Sequence, residues 1–222
     1  MSVAFEEARR CSLPEISLTD FVDFVIKAGS PKLTKVREIV NRGEYSPAFD
    51  FWKAAREHIA DVHRGKIKLG EIDPALDPKK RHRYEAAIRG YSKFMGKAGE
   101  TRYFEPPSER WTSSGLTVRV NPELGLFMDG RRYLVKLYFK DEEPTKHRLN
   151  AVLELMRITL KKKPFDDVTV AVLDVANNKL IPQTREDPGF HILLAAEAQA
   201  FMAMWTSLTA ERAAPQRAVV AS

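Results

Sequence analysis

The sequence predicts an α/β (α+β) protein: a helical N-terminal region, a mixed-sheet core of order α-β-β-β-α-β, and a C-terminal helix. Three observations predict it. The first hundred residues carry apolar residues at helical spacing between Gly and Pro breaks. From Gly99 the pattern changes to short runs rich in β-branched and aromatic residues, with Asp129-Gly130 marking a tight hairpin. Beyond Pro144 helical spacing returns on either side of one nearly continuous apolar run, Val168 to Val175, which fits a central strand buried on both faces.

Ser17-Leu18-Thr19-Asp20 has the form of a helix cap ahead of Phe21, Val22, Phe24, Val25 and Ile26, and Gly29 ends that helix. Ser30-Pro31 restarts a helix with Leu33, Val36, Ile39 and Val40 on one face and Gly43 beyond its end. Ser46-Pro47 opens a third, carrying Phe49, Phe51, Trp52, Ala55, Ile59 and Val62, and Gly70 to Asp77 reads as a loop. A fourth helix covers Pro78 to Lys97, with a very basic first turn. Glu105-Pro106-Pro107 excludes a helix. Strands follow at Leu116–Val120, Leu124–Met128 and Arg132–Phe139, then a crossover helix from Pro144-Thr145 to Leu160. Asn177-Asn178 turns the chain into a short strand, Lys179–Ile181. Gly189 to about Leu208 is a last helix, apolar nearly all round, which marks it as buried or as a partner surface. These readings divide the chain into a helical region at 1–77, an α/β core at 78–210 and a disordered tail at 211–222.

The composition, 44% hydrophobic and 30% charged, is that of a globular chain and excludes intrinsic disorder. A net charge of +6 permits nucleic-acid or acidic partners without demanding them. The single cysteine, Cys11, and the scattered histidines make neither a disulfide nor a zinc site. No apolar signal core opens the chain, and the run Phe190 to Trp205 is too short and too polar to span a bilayer. The expectation is a cytoplasmic protein with no membrane partner.

The stretch Asn121 to Lys140 carries the chemistry. Pro122-Glu123 opens one strand of the hairpin and Lys136 lies on the other, two residues from Leu134 and therefore on the same side. With the order of strands and helices from Pro78 to Val175, these residues resemble the core of the PD-(D/E)XK nuclease superfamily. The resemblance implies that Pro122-Glu123 matches the motif's proline and acid, Lys136 its lysine, and Glu85 the glutamate of the first helix. Leu134 stands where the second acid belongs. The chemistry of such a site needs carboxylates converging on a divalent cation, commonly magnesium, with the lysine steadying developing charge. A leucine supplies no ligand. The resemblance thus implies a catalytically degenerate core with no cofactor, acting as a binding or scaffold module on DNA or RNA or in a nucleic-acid-processing complex. A divergent magnesium nuclease using Glu85, Glu123 and Asp174, and a protein-interaction module using the apolar last helix, are the alternatives.

Each candidate also has a purely structural reading. Lys136 fits a sheet-face or edge-strand lysine whose stem lies on apolar surface, Glu123 an exposed turn acid, and Glu85 a partner of Arg81 or Arg89 one turn away. Asp129 fits a turn, and Asp174 in its apolar run needs partners. Two basic groups, Lys79, Lys80, Arg81 and Arg83 on one helix and Arg131, Arg132, Lys140, Lys146 and Arg148 around the hairpin and crossover helix, read as a phosphate-contacting rim or as solvated faces. The N-terminal and C-terminal helices are the candidate surfaces for a protein partner.

Overall fold

Strand Arg131–Tyr138 organises the molecule, because its residues alternate between two separate hydrophobic clusters. Leu134 belongs to one, and Val135 and Leu137 to the other. The computed structural model describes residues 13–42, 50–68, 78–187 and 189–220, with the side chains of 78, 79 and 213–220 outside that description. In chain order the elements are β1 (Glu15–Ser17), α1 (Leu18–Val25), α2 (Ser30–Arg42), α3 (Lys53–His63), α4 (Pro78–Ala98), β2 (Thr101–Phe104), β3 (Glu109–Ser113), β4 (Leu116–Val120), β5 (Leu124–Met128) and β6 (Arg131–Tyr138). They continue with α5 (Lys146–Leu160), β7 (Thr169–Asp174), β8 (Lys179–Pro182) and α6 (Phe190–Val220). The fold is α/β with two mixed sheets.

The larger sheet has the order β2-β5-β6-β7-β8. Its pairs β2–β5, β5–β6 and β7–β8 are antiparallel, and β6–β7 is parallel across the α5 crossover. The smaller sheet, β1-β4-β3, joins β1 parallel and β3 antiparallel to β4. One face of the larger sheet packs with α1, α2, α5, α6 and the smaller sheet around Phe21, Phe24, Leu134, Met156 and Phe201. The other packs with α3 and α4 around Ile59, Tyr91, Leu126, Val135 and Leu173.

Local signals set most boundaries. Ser17 caps α1 by accepting the Asp20 N–H at 3.0 Å, and Thr145 caps α5 by accepting the Arg148 N–H at 3.2 Å. Asp129 and Gly130, with φ of 48° and 74°, make the tight β5–β6 turn. Asp174 is buried and accepts the Asn177 backbone N–H at 3.2 Å and its Nδ2 at 2.9 Å, so it shapes the β7–β8 turn.

Several expectations are corrected. The strand beside β5 is Thr101–Phe104; Leu116–Val120 leaves the larger sheet and pairs with β1 and β3. The strands β1, β2 and β3 carry no alternation long enough to reveal them. Lys136 lies on a central strand, between β5 and β7. The helical N-terminal region also supplies a strand, and α1 and α2 share one cluster with the core. The last helix runs on to Val220, through most of the segment expected to lack regular structure, and it turns Leu194, Phe201 and Leu208 into the core. Cys11, the helix start expected at Ser46-Pro47 and the loop expected at Gly70–Asp77 lie outside the described residues. Among the described residues no helix is long and apolar enough to cross a membrane.

Gly90 lets α4 lie against the end of β7: a Cβ there would stand 2.2 Å from the Val175 carbonyl oxygen. At Gly96, on the same helix, a Cβ would meet nothing within 4 Å. Gly96→Ala should raise stability by about 1 kcal/mol through helix propensity. Gly90→Ala should lower it by about 1–3 kcal/mol, because backbone must shift. Urea unfolding of both variants checks this, and equal gains would refute the close approach.

Candidate functional site

Just before β5 begins, Glu123 extends the pairing with β6. Its N–H donates to the Val135 carbonyl at 3.0 Å, as a strand residue would. Its side chain then turns back, and Oε2 accepts the Leu137 N–H at 2.8 Å. Pro122, with no N–H to offer, marks where the strand begins. The other carboxylate oxygen, Oε1, accepts Lys136 Nζ at 2.6 Å, and the same ammonium donates to the Asn121 carbonyl at 3.0 Å. Arg56 from α3 stands 3.6 Å from Glu123 and also pairs with Asp50. The Glu123 and Lys136 side chains are 9% and 14% exposed, so this is a recessed ion pair.

The pair forms the floor of a cleft of about 430 Å³ whose walls include Asp20, Arg42, Trp52 and Arg119. A smaller space of about 110 Å³, sharing Trp52, Arg56 and Lys136, leads from it towards Lys140 and Arg148. Around these spaces three carboxylates of β1 and α1 each hold two cations. Glu15 pairs with Arg110 at 3.1 Å and Arg119 at 3.3 Å. Asp20 pairs with Lys35 at 2.9 Å and Arg42 at 3.1 Å. Asp23 pairs with Arg148 at 2.7 Å and Lys140 at 3.3 Å. Taken by itself, each trio of one carboxylate and two cations carries a net charge of +1. Burial alone would push the Asp20 carboxyl up, but Arg42 and Lys35 outweigh it and hold the group below the usual carboxylate range.

The structure brings Glu123 and Lys136 together and leaves Glu85 elsewhere. Glu85 pairs with Arg81 at 3.2 Å and Arg89 at 4.0 Å on α4 and does not line the cleft. Leu134 shares the side of Lys136 but is fully buried in the core. Among the described residues no group of three carboxylate, imidazole or thiol side chains is placed to hold a metal.

The basic groups divide between the two ends of β6. Arg131 and Arg132 begin the strand, and Arg132 is held by Asp167 and by the Pro164 carbonyl. Lys140, Lys146 and Arg148 lie beyond its other end, about 25 Å away at ordinary strand rise. Lys80 and Arg83 of α4 belong to that second end: both lie over the Phe51 ring, at 5.6 and 5.7 Å, and Arg83 lines a space with Trp52, Phe139 and Asp141. Lys80, Arg83, Arg131 and Lys146 make no ion pair among the described residues. The Lys79 side chain lies outside the described residues.

Sequence reasoning missed Arg56, Asp20, Asp23 and Trp52 as parts of the site. No local signal marks them, since each acts on a residue from a distant segment. Only the Ser17–Asp20 cap hinted that this turn carries more than helix.

Glu123→Ala should cost about 3 kcal/mol, because it strands both Lys136 and the Leu137 N–H, and Lys136→Met about 2 kcal/mol. The double variant should recover about 1–2 kcal/mol of the sum. Strict additivity in a denaturation cycle would refute the coupling. Because the folded-state pKa of Asp20 is depressed, its contribution is present above the unfolded value and is lost as pH falls through the folded one. Asp20→Asn should therefore be less stable than the parent at neutral pH, with the gap closing below about pH 4. Melting curves from neutral to acid pH read this out, and a constant gap would refute it.

The chain matches no protein-family model and no curated protein.

Proposed function

We propose that this chain is a catalytically degenerate member of the nuclease-like α-β-β-β-α-β group, working as a nucleic-acid-binding module in the cytoplasm. The observation that carries the reading is the charge balance of the cleft: three carboxylates are each shared by two cations, so each trio carries a net positive charge, and Arg83 and Lys80 add charge at the same end. A phosphate backbone is the polyanion such a surface suits. The strand order β2-β5-β6-β7, with β6 and β7 parallel across a helix, supports the group resemblance. Leu134 in the core, and Glu123 engaged by Lys136 and the Leu137 N–H, support binding over cleavage. A carboxylate so committed has little left for a cation, and magnesium sites depend on few protein carboxylates.

Fluorescence anisotropy with labelled DNA and RNA tests this. Affinity should fall about 50-fold for single strands, or about 150-fold for duplex DNA, between about 50 and 200 mM salt if about four phosphates are neutralised. Arg83→Glu should weaken binding by about ten-fold or more, and Lys93→Glu, an equal charge change further along α4, should not. Magnesium should bring no hydrolysis. Salt-independent or absent binding to both polymers would refute the reading, and magnesium-dependent cleavage abolished by Glu123→Ala would replace it with an active nuclease.

A further inference from the structure

Resting on that reading, we propose that the module takes single-stranded nucleic acid, threaded past Trp52 with a base against its ring. Trp52 is the wall shared by three cavities, of about 430, 110 and 500 Å³. Its ring stacks on Phe139, with centroids 4.9 Å apart and planes 13° apart, and meets Phe51 edge-on at 4.9 Å. That platform rises between two sets of cations. On one side lie Arg42, Arg56 and Lys136, paired with Asp20, Asp50 and Glu123, and on the other lies Arg83, in a cavity that Asp141 also lines. Lys80 and Arg83 over Phe51 bring charge to the platform itself.

This alternation of cation, aromatic and cation suits a polymer that presents phosphate and base in turn. A duplex presents only its phosphates and groove edges, since its base faces are stacked inside. The cations also sit too deep for a rod: the side chains of Lys136 and Arg148 are 14% and 11% exposed. A single strand has the backbone freedom to lower a phosphate into each recess and lay a base on Trp52. A free nucleotide shares the chemistry of one recess, but two recesses flanking one ring call for linked units.

The test uses the full chain with labelled dodecamers of thymidine and of uridine, the matching duplexes, and a mononucleotide competitor. Single strands should bind about ten-fold or more tightly than duplexes and quench tryptophan fluorescence. In Trp52→Phe the part of the quench that comes from position 52 should vanish. Trp52→Leu should weaken single-strand binding about ten-fold or more, with stacking lost. Should Trp52→Leu fail to fold, the quench difference between parent and Trp52→Phe decides. Salt-sensitive binding that prefers duplex, leaves the Trp52 signal unmoved, or is displaced by mononucleotide at equal nucleotide concentration would overturn this inference and leave the phosphate-binding reading standing. Absence of salt-sensitive binding to every probe would overturn both.

Discussion

The constraint on which the rest depends is that β6 is buried on both faces. Leu134 is closed in on one side and Val135 and Leu137 on the other, so past its first residues the strand has no solvent face on which to place a charge. Lys136 is in that strand nonetheless. An ammonium there must either reach water or find a carboxylate, since an unpaired buried charge costs several kcal/mol. Both solutions are used in part. The side chain keeps 14% of its surface, and Glu123, just before β5 begins, stands at the rim with one oxygen for the ammonium and one for the Leu137 N–H. The start of β5, the cleft and the ion pair on its floor are one structural event.

The N-terminal segment follows from the same need to close the sheet. Helices α1 and α2 cover the face that carries Leu134, and β1 fastens them by pairing with β4. Charged residues at the margin of that contact are joined by Glu15, Asp20 and Asp23, each serving two cations from other segments. Packing thus gathers shared cations around the cleft, and Lys80 and Arg83 at the same end make no ion pair among the described residues. The surplus is collective, a property better suited to holding a polyanion than to activating one bond.

How far this was legible depends on range. Ser17, Thr145 and Asp129-Gly130 act on neighbours a few residues away, and the elements they begin or join stand where the sequence put them. The parallel β6–β7 core was legible because strands buried on both faces read as continuous apolar runs. Short strands were not: β1 has three residues and β2 four, with no period to count and a Glu-Pro-Pro stretch after the second. Which sheet β4 joins is set by β1, a hundred residues upstream in the chain, so neither its apolar content nor its closeness to β5 could reveal it. In the site, the Glu123–Lys136 pair was anticipated as two motif residues on one hairpin. Its outer layer was not, since Arg56 and Trp52 arrive from α3 and the residue before it.

Leu134 gains a different meaning from the structure. On the strand it stands two residues from Lys136 on the same side, where the resemblance to the nuclease core would expect an acid. In space those two residues, about 6.6 Å apart along the strand, cross from the rim to the interior. Lys136 lines the cleft and Leu134 does not; its neighbours are the core of α1, α5 and β7. An acid at 134 would face that apolar cluster unless the helices above drew back, and its desolvation would keep it protonated or unfold the site. On the nuclease-like reading proposed above, the departure from the motif would involve more than one side chain. The layer formed by α1 and α5 covers Leu134, and Lys136, on the same side of the strand, is paired with Glu123 at the rim.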